Sequence, residues 1–272
     1  MANVRRSPLW PNSTETPRFG TVQVNRAHIL GMGLVQYHAL NERGGNISYN
    51  LVGSLRNLLF TAGATLPTWH PRGLSFDAGD EAKATAVARA AFPLSIAGNA
   101  LTNTVAAGAM AIITQGQEAD DAQLVIGRSG STAFYNNRAA GGGTLSSLTG
   151  GTISVGKFHT VVGVSAASNN HRLYLDGVFL TSGTTAQGTP AWNNVALGYL
   201  DRTTNSQWWN GIIRWAGIWA RSLSDYEVAW LNAEPYCFLE PVIHRRYFVP
   251  AADGATWAPY NPHMQLAPIL AQ

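Results

Sequence analysis

The sequence predicts an all-β fold, an antiparallel sandwich of two sheets, and three observations lead to this prediction. Only 12% of the 272 residues are charged, whereas glycine is abundant at 28 residues. Short runs in which apolar and polar residues alternate recur along the chain and are separated by Gly, Asn and Asp turns. A single segment, late in the chain, carries the start and stop signals of a helix. We therefore expect an antiparallel sandwich with one short C-terminal helix and an extended arm at each end.

Alternation in residues rich in β-branched and aromatic types predicts a series of strands. They cover residues 34–40, 73–79, 107–115, 122–130, 131–137, 157–166, 193–200 and 210–221. The Ala-rich segment 81–92 predicts a short helix or a loop around one, and the Gly/Ser-rich segment 139–152 predicts a loop. Trp215 and Trp219 are expected to share a core-facing side of the last strand with Ile213.

Residues 171–183, HRLYLDGVFLTSG, predict a β-hairpin. Asp176 and Gly177 separate its two strands, and Asp-Gly is favoured in two-residue turns because both positions take positive φ.

The helix is predicted by the segment SLSDYEVAWLNAEP. Ser224 and Glu227 form a capping box, and Leu223 and Val228 occupy the positions of a hydrophobic staple. Pro235 ends the helix.

Composition and charge exclude several classes of protein. The net charge of +3 is dispersed, which does not predict nucleic-acid binding, and a single cysteine, Cys237, excludes a disulfide framework within the chain. No run of 18 apolar residues predicts a membrane span. The N-terminal segment has no apolar stretch typical of a secretory signal.

The order of elements from Lys157 to Pro235 resembles the concanavalin A-like lectin/glucanase superfamily in its laminin-G-like form. KFHTVVGVS, the hairpin, NNVALGY and WNGIIRWAGIWARSLSDYEVAWLNAEP carry the resemblance. It extends more loosely over residues 33–235 and implies a jelly roll. The segment GTVQVNRAHILGMGLV, which follows a Pro-rich arm, resembles proteins of tailed phages. We accordingly divide the chain into an N-terminal arm (1–30), a jelly-roll domain (31–239) and a C-terminal arm (240–272).

Enzymes of this superfamily use two closely spaced glutamates, and retaining glycosidases need their carboxyl groups about 5–5.5 Å apart. No Glu-x-Asp-x-x-Glu pattern occurs here, and the nearest cluster, Glu118, Asp120 and Asp121, is typical of a solvated turn. We therefore expect no catalytic residues.

The resemblance also implies calcium near a sheet edge, held partly by acids. Arg214 and Asn50 stand where the family often has acidic residues, and calcium prefers several oxygen ligands. Asp77 and Asp80 are the remaining carboxylates at that place. We expect no metal or other cofactor, with calcium as the open alternative.

Trp208 and Trp209 stand together in SQWWNG, a predicted loop. Paired exposed Trp side chains can stack on sugar rings, and they equally suit packing over a sheet edge or a subunit contact. They are the candidate carbohydrate-binding residues.

The two arms combine prolines with aromatic side chains and lack any periodicity that would bury these side chains locally. The expected partner-binding residues are Trp10, Tyr247, Phe248, Trp257 and Tyr260. We therefore expect a non-enzymatic virion protein, made in the host cytoplasm and self-associating on the particle. It would decorate the capsid or join the tail or a fibre, through contacts with major capsid or tail subunits. A module that binds host glycans is the alternative, and a glycan-cleaving enzyme is a weaker one.

Overall fold

The computed structural model describes most of the chain between Val22 and Val242, together with Pro17. The described ranges are residues 22–53, 56–61, 66–77, 79–85, 89–104, 108–117, 122–139, 144–188, 192–201 and 204–242. The chain divides into two units, Met1–Pro241 and Val242–Gln272. The expected binding residues of the arms, Trp10, Tyr247, Phe248, Trp257 and Tyr260, lie outside the described residues.

The described residues form strands and one helix. The first nine strands are β1 (Val22–Val24), β2 (Leu34–His38), β3 (Ile47–Ser48), β4 (Leu58–Thr61), β5 (Thr68–His70), β6 (Gly73–Phe76), β7 (Glu81–Ala84), β8 (Leu94–Thr102) and β9 (Ala109–Gly116). The remaining elements are β10 (Gln123–Ser129), β11 (Thr132–Arg138), β12 (Ser146–Gly150), β13 (Phe158–Ala167), β14 (Asn170–Leu175), β15 (Val178–Gly183), β16 (Asn194–Leu197), β17 (Gly211–Trp219), α1 (Asp225–Ala233) and β18 (Leu239–Pro241).

Two large antiparallel sheets form the predicted sandwich. The front sheet has the order β12-β11-β10-β9-β16-β7-β4-β3, and the back sheet has the order β15-β14-β13-β8-β17-β6-β5, with β2 also pairing with β17. A separate two-stranded ribbon pairs β1 with β18. The expectation of an all-β, two-sheet antiparallel sandwich with one short helix is confirmed.

The predicted strands all appear, within a few residues, but several further strands were not predicted. Strand β12 (Ser146–Gly150) forms within the segment predicted as a loop and pairs with β11, and β8 lies at the centre of the back sheet. Strand β8 is buried along its whole length and pairs with both β13 and β17. Its sequence, LSIAGNALT, has too few β-branched residues to stand out. Gly98 is needed there because a Cβ atom at this position would lie 2.7 Å from Cγ2 of Ile112 in the opposing sheet.

The helix considered for residues 81–92 does not form where the structure describes that segment. Glu81–Ala84 is instead strand β7, which pairs with β4 and β16. Ala82 and Ala84 face the interior, so the tertiary contacts of a sheet prevail over the helix propensity of alanine.

The interior between the sheets is apolar and includes side chains from every large strand. Its members include Leu74, Phe76, Ile96, Ile112, Ile126, Tyr135, Leu173, Val195, Trp209 and Ile213. A second apolar layer covers the outer face of the back sheet. It includes Tyr37, Tyr174, Trp215, Trp219, Val228, Leu231 and Phe238, and it joins α1, the ribbon and the loop before β2 to the sheet.

Strand β17 corrects one sequence-based expectation. Its pairing with β8 shifts between Ile213 and Trp215, which leaves Arg214 as an extra residue. Ile213 therefore faces the interior, whereas Trp215 and Trp219 face the outer layer. Both tryptophans are fully buried, as expected, but they do not share a side with Ile213.

The hairpin and the helix are confirmed in detail. Asp176 and Gly177 have φ of 51° and 82° and join β14 to β15. Ser224 caps α1 in a complete capping box with Glu227. The carbonyl oxygen of Asp176 accepts a hydrogen bond from Nδ2 of Asn232 (3.0 Å), so the hairpin turn is fixed to the helix.

The boundary placed after residue 30 is too late. Val22 pairs with Pro241 in the ribbon, and Leu30 is fully buried, with its carbonyl oxygen accepting from Nε1 of Trp219 (2.7 Å). Residues 22–30 therefore belong to the folded body.

Candidate functional site

The candidate site lies on the outer face of the front sheet, under the loop of residues 198–210. Leu200 of this loop packs with Ala111, Val125 and Phe134, which form a small buried apolar cluster. Around it the sheet presents mainly polar side chains. We call this surface the polar face: the outer side chains of β7, β9, β10 and β11 together with the described residues of the loop, 198–201 and 204–210.

Backbone contacts hold the loop on the sheet. The amide of Ala111 donates to the carbonyl oxygen of Gln207 (2.7 Å), and Oγ1 of Thr114 donates to the carbonyl oxygen of Tyr199 (3.3 Å). Gln207 has a φ of 56°, a left-handed conformation that is unfavourable for a residue other than glycine. The loop is thus fixed to the sheet at Tyr199 and Gln207, and its backbone is strained at Gln207.

A buried ion pair and a charged hydrogen bond lie beneath the loop. Nζ of Lys83 is 3.1 Å from Oδ2 of Asp201, whose side chain is 1% exposed. Burial raises the pKa of Asp201, although Lys83 acts in the opposite direction. Nearby, Nδ2 of Asn205 donates to Oε1 of Glu81 (2.7 Å).

Several buried polar atoms of the polar face have no hydrogen-bond partner among the described residues. They are Oε1 of Gln123, Oδ1 of Asn136, the Tyr199 hydroxyl, Oδ1 of Asp201, Oγ of Ser206, Oε1 of Gln207 and Nε1 of Trp208. An unsatisfied buried polar group costs about 1–3 kcal/mol, so such a cluster calls for partners such as ordered water or a polar ligand. The cluster offers both donors and acceptors, which matches the chemistry of a molecule rich in hydroxyl groups.

The structure changes the interpretation of the tryptophan pair. Trp209 is fully buried in the interior, its amide donates to the carbonyl oxygen of Gly198 (2.6 Å), and its Nε1 donates to that of Leu101 (3.1 Å). The expectation that Trp208 and Trp209 form an exposed pair is therefore wrong for Trp209. Trp208 is half-buried at the polar face and remains a candidate. The alternation of strand β17 does not extend into this loop, so no local pattern distinguishes Trp208 from Trp209.

The acidic cluster Glu118, Asp120 and Asp121 lies outside the described residues. Among the described acids, Glu81 and Asp201 both lie near Tyr199, whose pKa is raised by burial and then by these two carboxylates. Each of the two carboxylates already has a partner, Asn205 and Lys83 respectively. Neither is therefore placed as a free acid or base.

One histidine pair of a type used in catalysis fixes the hairpin instead. Nδ1 of His159 donates to Oδ2 of Asp176 (2.7 Å), and Nε2 of His159 accepts from the amide of Ser154 (3.0 Å). Since both ring nitrogens are occupied, His159 cannot accept a proton from a substrate without breaking a backbone contact. Oδ1 of Asp176 also accepts from the amide of Thr160 (2.8 Å), which ties the turn to β13.

A second such pair, Ser165 and His171, is fully buried. Ser165 Oγ lies 2.7 Å from Nδ1 of His171, and Nε2 of His171 donates toward the carbonyl oxygens of Ser168 and Thr185. The Tyr135 hydroxyl completes the network at 2.5 Å from Ser165 Oγ. Burial lowers the pKa of His171, which keeps the ring neutral.

The positions considered for calcium have structural roles. Oδ1 of Asn50 accepts from the amides of Tyr37 (3.0 Å) and Val52 (3.2 Å), and Oδ2 of Asp80 accepts from the amide of Asp77 (2.7 Å). The Arg214 guanidinium lies 3.8 Å from the centroid of the Phe158 ring. Within the described ranges, no group of three or more His, Cys, Asp or Glu side chains is placed to hold a metal ion.

The sequence comparison confirms the predicted resemblance. Residues 99–229, just under half of the chain, match the family model described as the concanavalin A-like lectin/glucanases superfamily, in its laminin-G-like form. The match begins in β8 and ends in α1, so it includes the loop of the polar face. No curated protein matches the chain.

Solved structures share the fold. Trypanosoma rangeli sialidase aligns with a TM-score of 0.59 and 16% identity over 78% of this chain and 35% of its own. The botulinum neurotoxin serotype G binding domain aligns with a TM-score of 0.57 and 13% identity, over 73% of this chain and 50% of its own. A third structure is domain 4 of AbnA, a GH43 extracellular arabinanase from Geobacillus stearothermophilus, in complex with arabinotriose. It aligns with a TM-score of 0.56 and 12% identity, over 74% of this chain and 98% of its own. This chain spans about a third of the sialidase, and such identities establish the fold alone. In the described ranges no helix is long and apolar enough to cross a membrane.

Proposed function

We propose that this protein is a non-catalytic structural component of a tailed-phage particle. Its lectin-like body is held on the particle by the segments that flank it, residues 1–21 and 243–272. The partners would be other virion proteins, such as major capsid or tail subunits, and several copies would assemble together. The phage context rests on the resemblance of residues 20–35 to phage proteins, and the attachment rests on the structure of the ribbon.

The β1–β18 ribbon is the observation that carries this proposal. Val22, which follows the first flanking segment, pairs with Pro241, which comes just before the second. Both segments therefore join the body at one place, on the outer layer of the back sheet. The front sheet lies on the opposite side of the sandwich, so attachment at the ribbon leaves the polar face available.

The test is incorporation into particles that lack the protein. We compare full-length protein with a variant in which Tyr247, Phe248, Trp257 and Tyr260 are replaced by Ser, and Trp208→Ser serves as the control on the opposite face. We expect the arm variant to lose incorporation at least tenfold and the control to behave as the full-length protein does. Equal incorporation of the arm variant would contradict attachment through this segment.

Glycan binding at the polar face is the second candidate function. The cluster of unpartnered donors and acceptors favours it, and so does the fold match to nearly the whole of an arabinanase domain solved with arabinotriose. In this role the protein would bind host glycans during adsorption. Trp208 would supply an aromatic ring next to the polar groups, an arrangement that suits the apolar face and the hydroxyl edge of a sugar.

Calorimetric titration with bacterial surface oligosaccharides and arabino-oligosaccharides tests this second function. The variants Trp208→Ala and Gln123→Ala should each weaken binding at least tenfold, whereas Val178→Ala, at an exposed position on the back sheet, should leave it unchanged. Binding that is insensitive to both polar-face variants would place the glycan elsewhere. In parallel we expect no release of reducing sugar, since the two described carboxylates at this face are already paired.

A further inference from the structure

An exposed aromatic patch lies on the outer layer of the back sheet. It consists of Tyr226 and Trp230 on α1 and of His28, Ile29 and Met32 in the loop before β2, and we call it the aromatic patch. Tyr226 is 70% exposed, Met32 47% and Ile29 38%. Exposed Tyr, Trp and Met side chains close together are typical of protein interaction sites.

The three rings of the patch, Tyr226, Trp230 and His28, form a continuous row. The rings of Tyr226 and Trp230, one helical turn apart, have centroids separated by 5.8 Å, and the His28 ring lies 4.8 Å from that of Trp230. Because the rings contact one another, the patch presents a connected aromatic surface rather than scattered apolar residues.

Arg221 fixes the loop part of the patch to the helix. Its guanidinium donates to the carbonyl oxygens of Ile29 (2.6 Å) and Met32 (2.8 Å) and lies 2.7 Å from Oε1 of Glu227 in the first turn of α1. The patch is therefore held in one arrangement before any partner binds, which reduces the entropic cost of binding.

The course of the chain indicates what covers the patch. The His28 ring lies 6.5 Å from that of Phe238, and the amide of Asn25 donates to the carbonyl oxygen of Phe238 (2.8 Å). Strand β18 follows at once, and residues 243–272 continue from it. A Pro-rich segment with aromatic side chains thus follows the ribbon whose Phe238 end adjoins the aromatic patch.

The chemistry of the two surfaces matches. Residues 243–272 contain Pro250, Pro259, Pro262 and Pro268, which favour extended polyproline conformation. Extended Pro-rich segments bind to grooves lined by aromatic side chains, where the rigid ligand loses little entropy. Tyr226 and Trp230 provide such a lining.

We propose that the aromatic patch of one copy binds residues 243–272 of a neighbouring copy. Thirty residues of extended chain reach roughly 100 Å, enough to cross to a neighbour. The contact joins two different surfaces, so it is head-to-tail and builds a ring or a string of copies. This inference rests on the proposed role of the arms in attachment.

The test is a complementation experiment on full-length protein, with sedimentation velocity as the readout. One variant, Tyr226→Ser with Met32→Ser, removes the patch but keeps the arm. The other, Tyr247→Ser with Phe248→Ser and Trp257→Ser, removes the arm anchors but keeps the patch. Val178→Ser, exposed but outside the patch, is the control, and circular dichroism checks that each variant is folded.

We expect full-length protein and the control to self-associate, and each variant alone to do so at least tenfold more weakly. An equimolar mixture of the two variants should form heterodimers, because one intact patch then meets one intact arm. Full-length protein that stays monomeric, or a mixture that forms no heterodimer, would overturn the inference.

Incorporation into particles separates this inference from the proposed function. Monomeric protein that still joins particles would overturn only the contact between copies. Protein that self-associates through the patch but fails to join particles would overturn only the attachment to the virion.

Discussion

The two outer faces of the sandwich are covered in different ways. On the back sheet, α1, the ribbon and the loop before β2 lie on an apolar layer that includes Tyr37, Trp215 and Trp219. On the front sheet, loop 198–210 covers mainly polar groups, with Leu200 in a buried apolar cluster of four residues. The cover of the back sheet thus adds apolar side chains to the core, whereas the cover of the front sheet encloses hydrogen-bond donors and acceptors without partners among the described residues.

The back cover contributes to the stability of the fold, whereas we propose that the front cover serves recognition. Burying a large apolar side chain contributes about 1.5–3 kcal/mol, so the back cover belongs to the cooperative folding unit. Each unpartnered polar atom on the front costs about 1–3 kcal/mol, so that cover is retained at a loss of stability. Such a loss is typical of binding sites, where the unsatisfied groups find partners in a ligand.

The largest expected effect is on the back face. Trp219 is fully buried, and its Nε1 donates to Leu30, so Trp219→Ala should lower the free energy of unfolding by about 3–5 kcal/mol. Trp208→Ala on the front should cost less than about 1 kcal/mol, because that side chain is half-buried and its Nε1 has no hydrogen-bond partner among the described residues. Chemical denaturation measures both, and equal losses would contradict the distinction between the two covers.

The hairpin turn gives the next largest effect. At Gly177 a Cβ would lie 3.1 Å from Cα of Ala229, and φ is +82°; Gly156 has a similar φ of +75° with open space around it. Left-handed backbone alone costs a β-branched residue about 1–2 kcal/mol. We expect Gly156→Val to lower the free energy of unfolding by about 1–2 kcal/mol. Gly177→Val should lower it by at least about 1 kcal/mol more, because its side chain would also press against Ala229. Thermal melts measure both losses. Equal losses would show that the turn does not press on α1.

A pH effect comes from His38, which is fully buried next to Gln36 and Ser48. Burial lowers its pKa to about 3. Between about pH 3 and pH 6.5, His38 is protonated in the unfolded chain and neutral in the folded protein. The stabilisation that comes from keeping His38 neutral is therefore complete above about pH 6.5 and is lost progressively as the pH falls. The loss is about 1.4 kcal/mol per pH unit. His28 and His171, whose pKa values are also lowered by burial, act in the same direction.

The variant His38→Gln isolates this contribution. Gln can accept from Nε2 of Gln36 and donate to Oγ of Ser48, as the neutral imidazole does. Between pH 5.0 and 6.0 its stability should fall less steeply than that of the parent protein by up to about 1.4 kcal/mol per pH unit. Burial raises the pKa of Glu42, which titrates in the opposite sense, but Glu42 is present in both proteins and its contribution is common to both curves. Parallel curves would show that His38 is protonated in the folded state.

The smallest expected effect concerns calcium. Asn50 and Asp80 bind backbone amides, so chelation should leave the melting temperature unchanged to within about 1 °C. Melts with and without chelator check this, with added calcium as the control. A drop of several degrees on chelation would reveal a site that involves residues outside the described ranges.

Sequence patterns predicted the features that depend on local chemistry. The capping box of Ser224 and the turn at Asp176 are encoded by a few neighbouring residues, and both formed as expected. The burial of Trp209 and the bulge at Arg214 depend on which strands pair, and no local pattern encodes this. The cluster on the polar face also escaped prediction, because its members come from β10, β11 and a distant loop.

Hydrogen exchange tests the distinction between the two covers most directly. The relevant amides are those of Leu200 and Trp209 in the front loop and those of Val228 and Glu234 at the ends of α1, all of them hydrogen-bonded. We predict that Val228 exchanges only with global unfolding, whereas Leu200 exchanges through local opening at least a hundredfold faster. Equal protection of Leu200 and Val228 would contradict the account, since both covers would then belong to one cooperative unit.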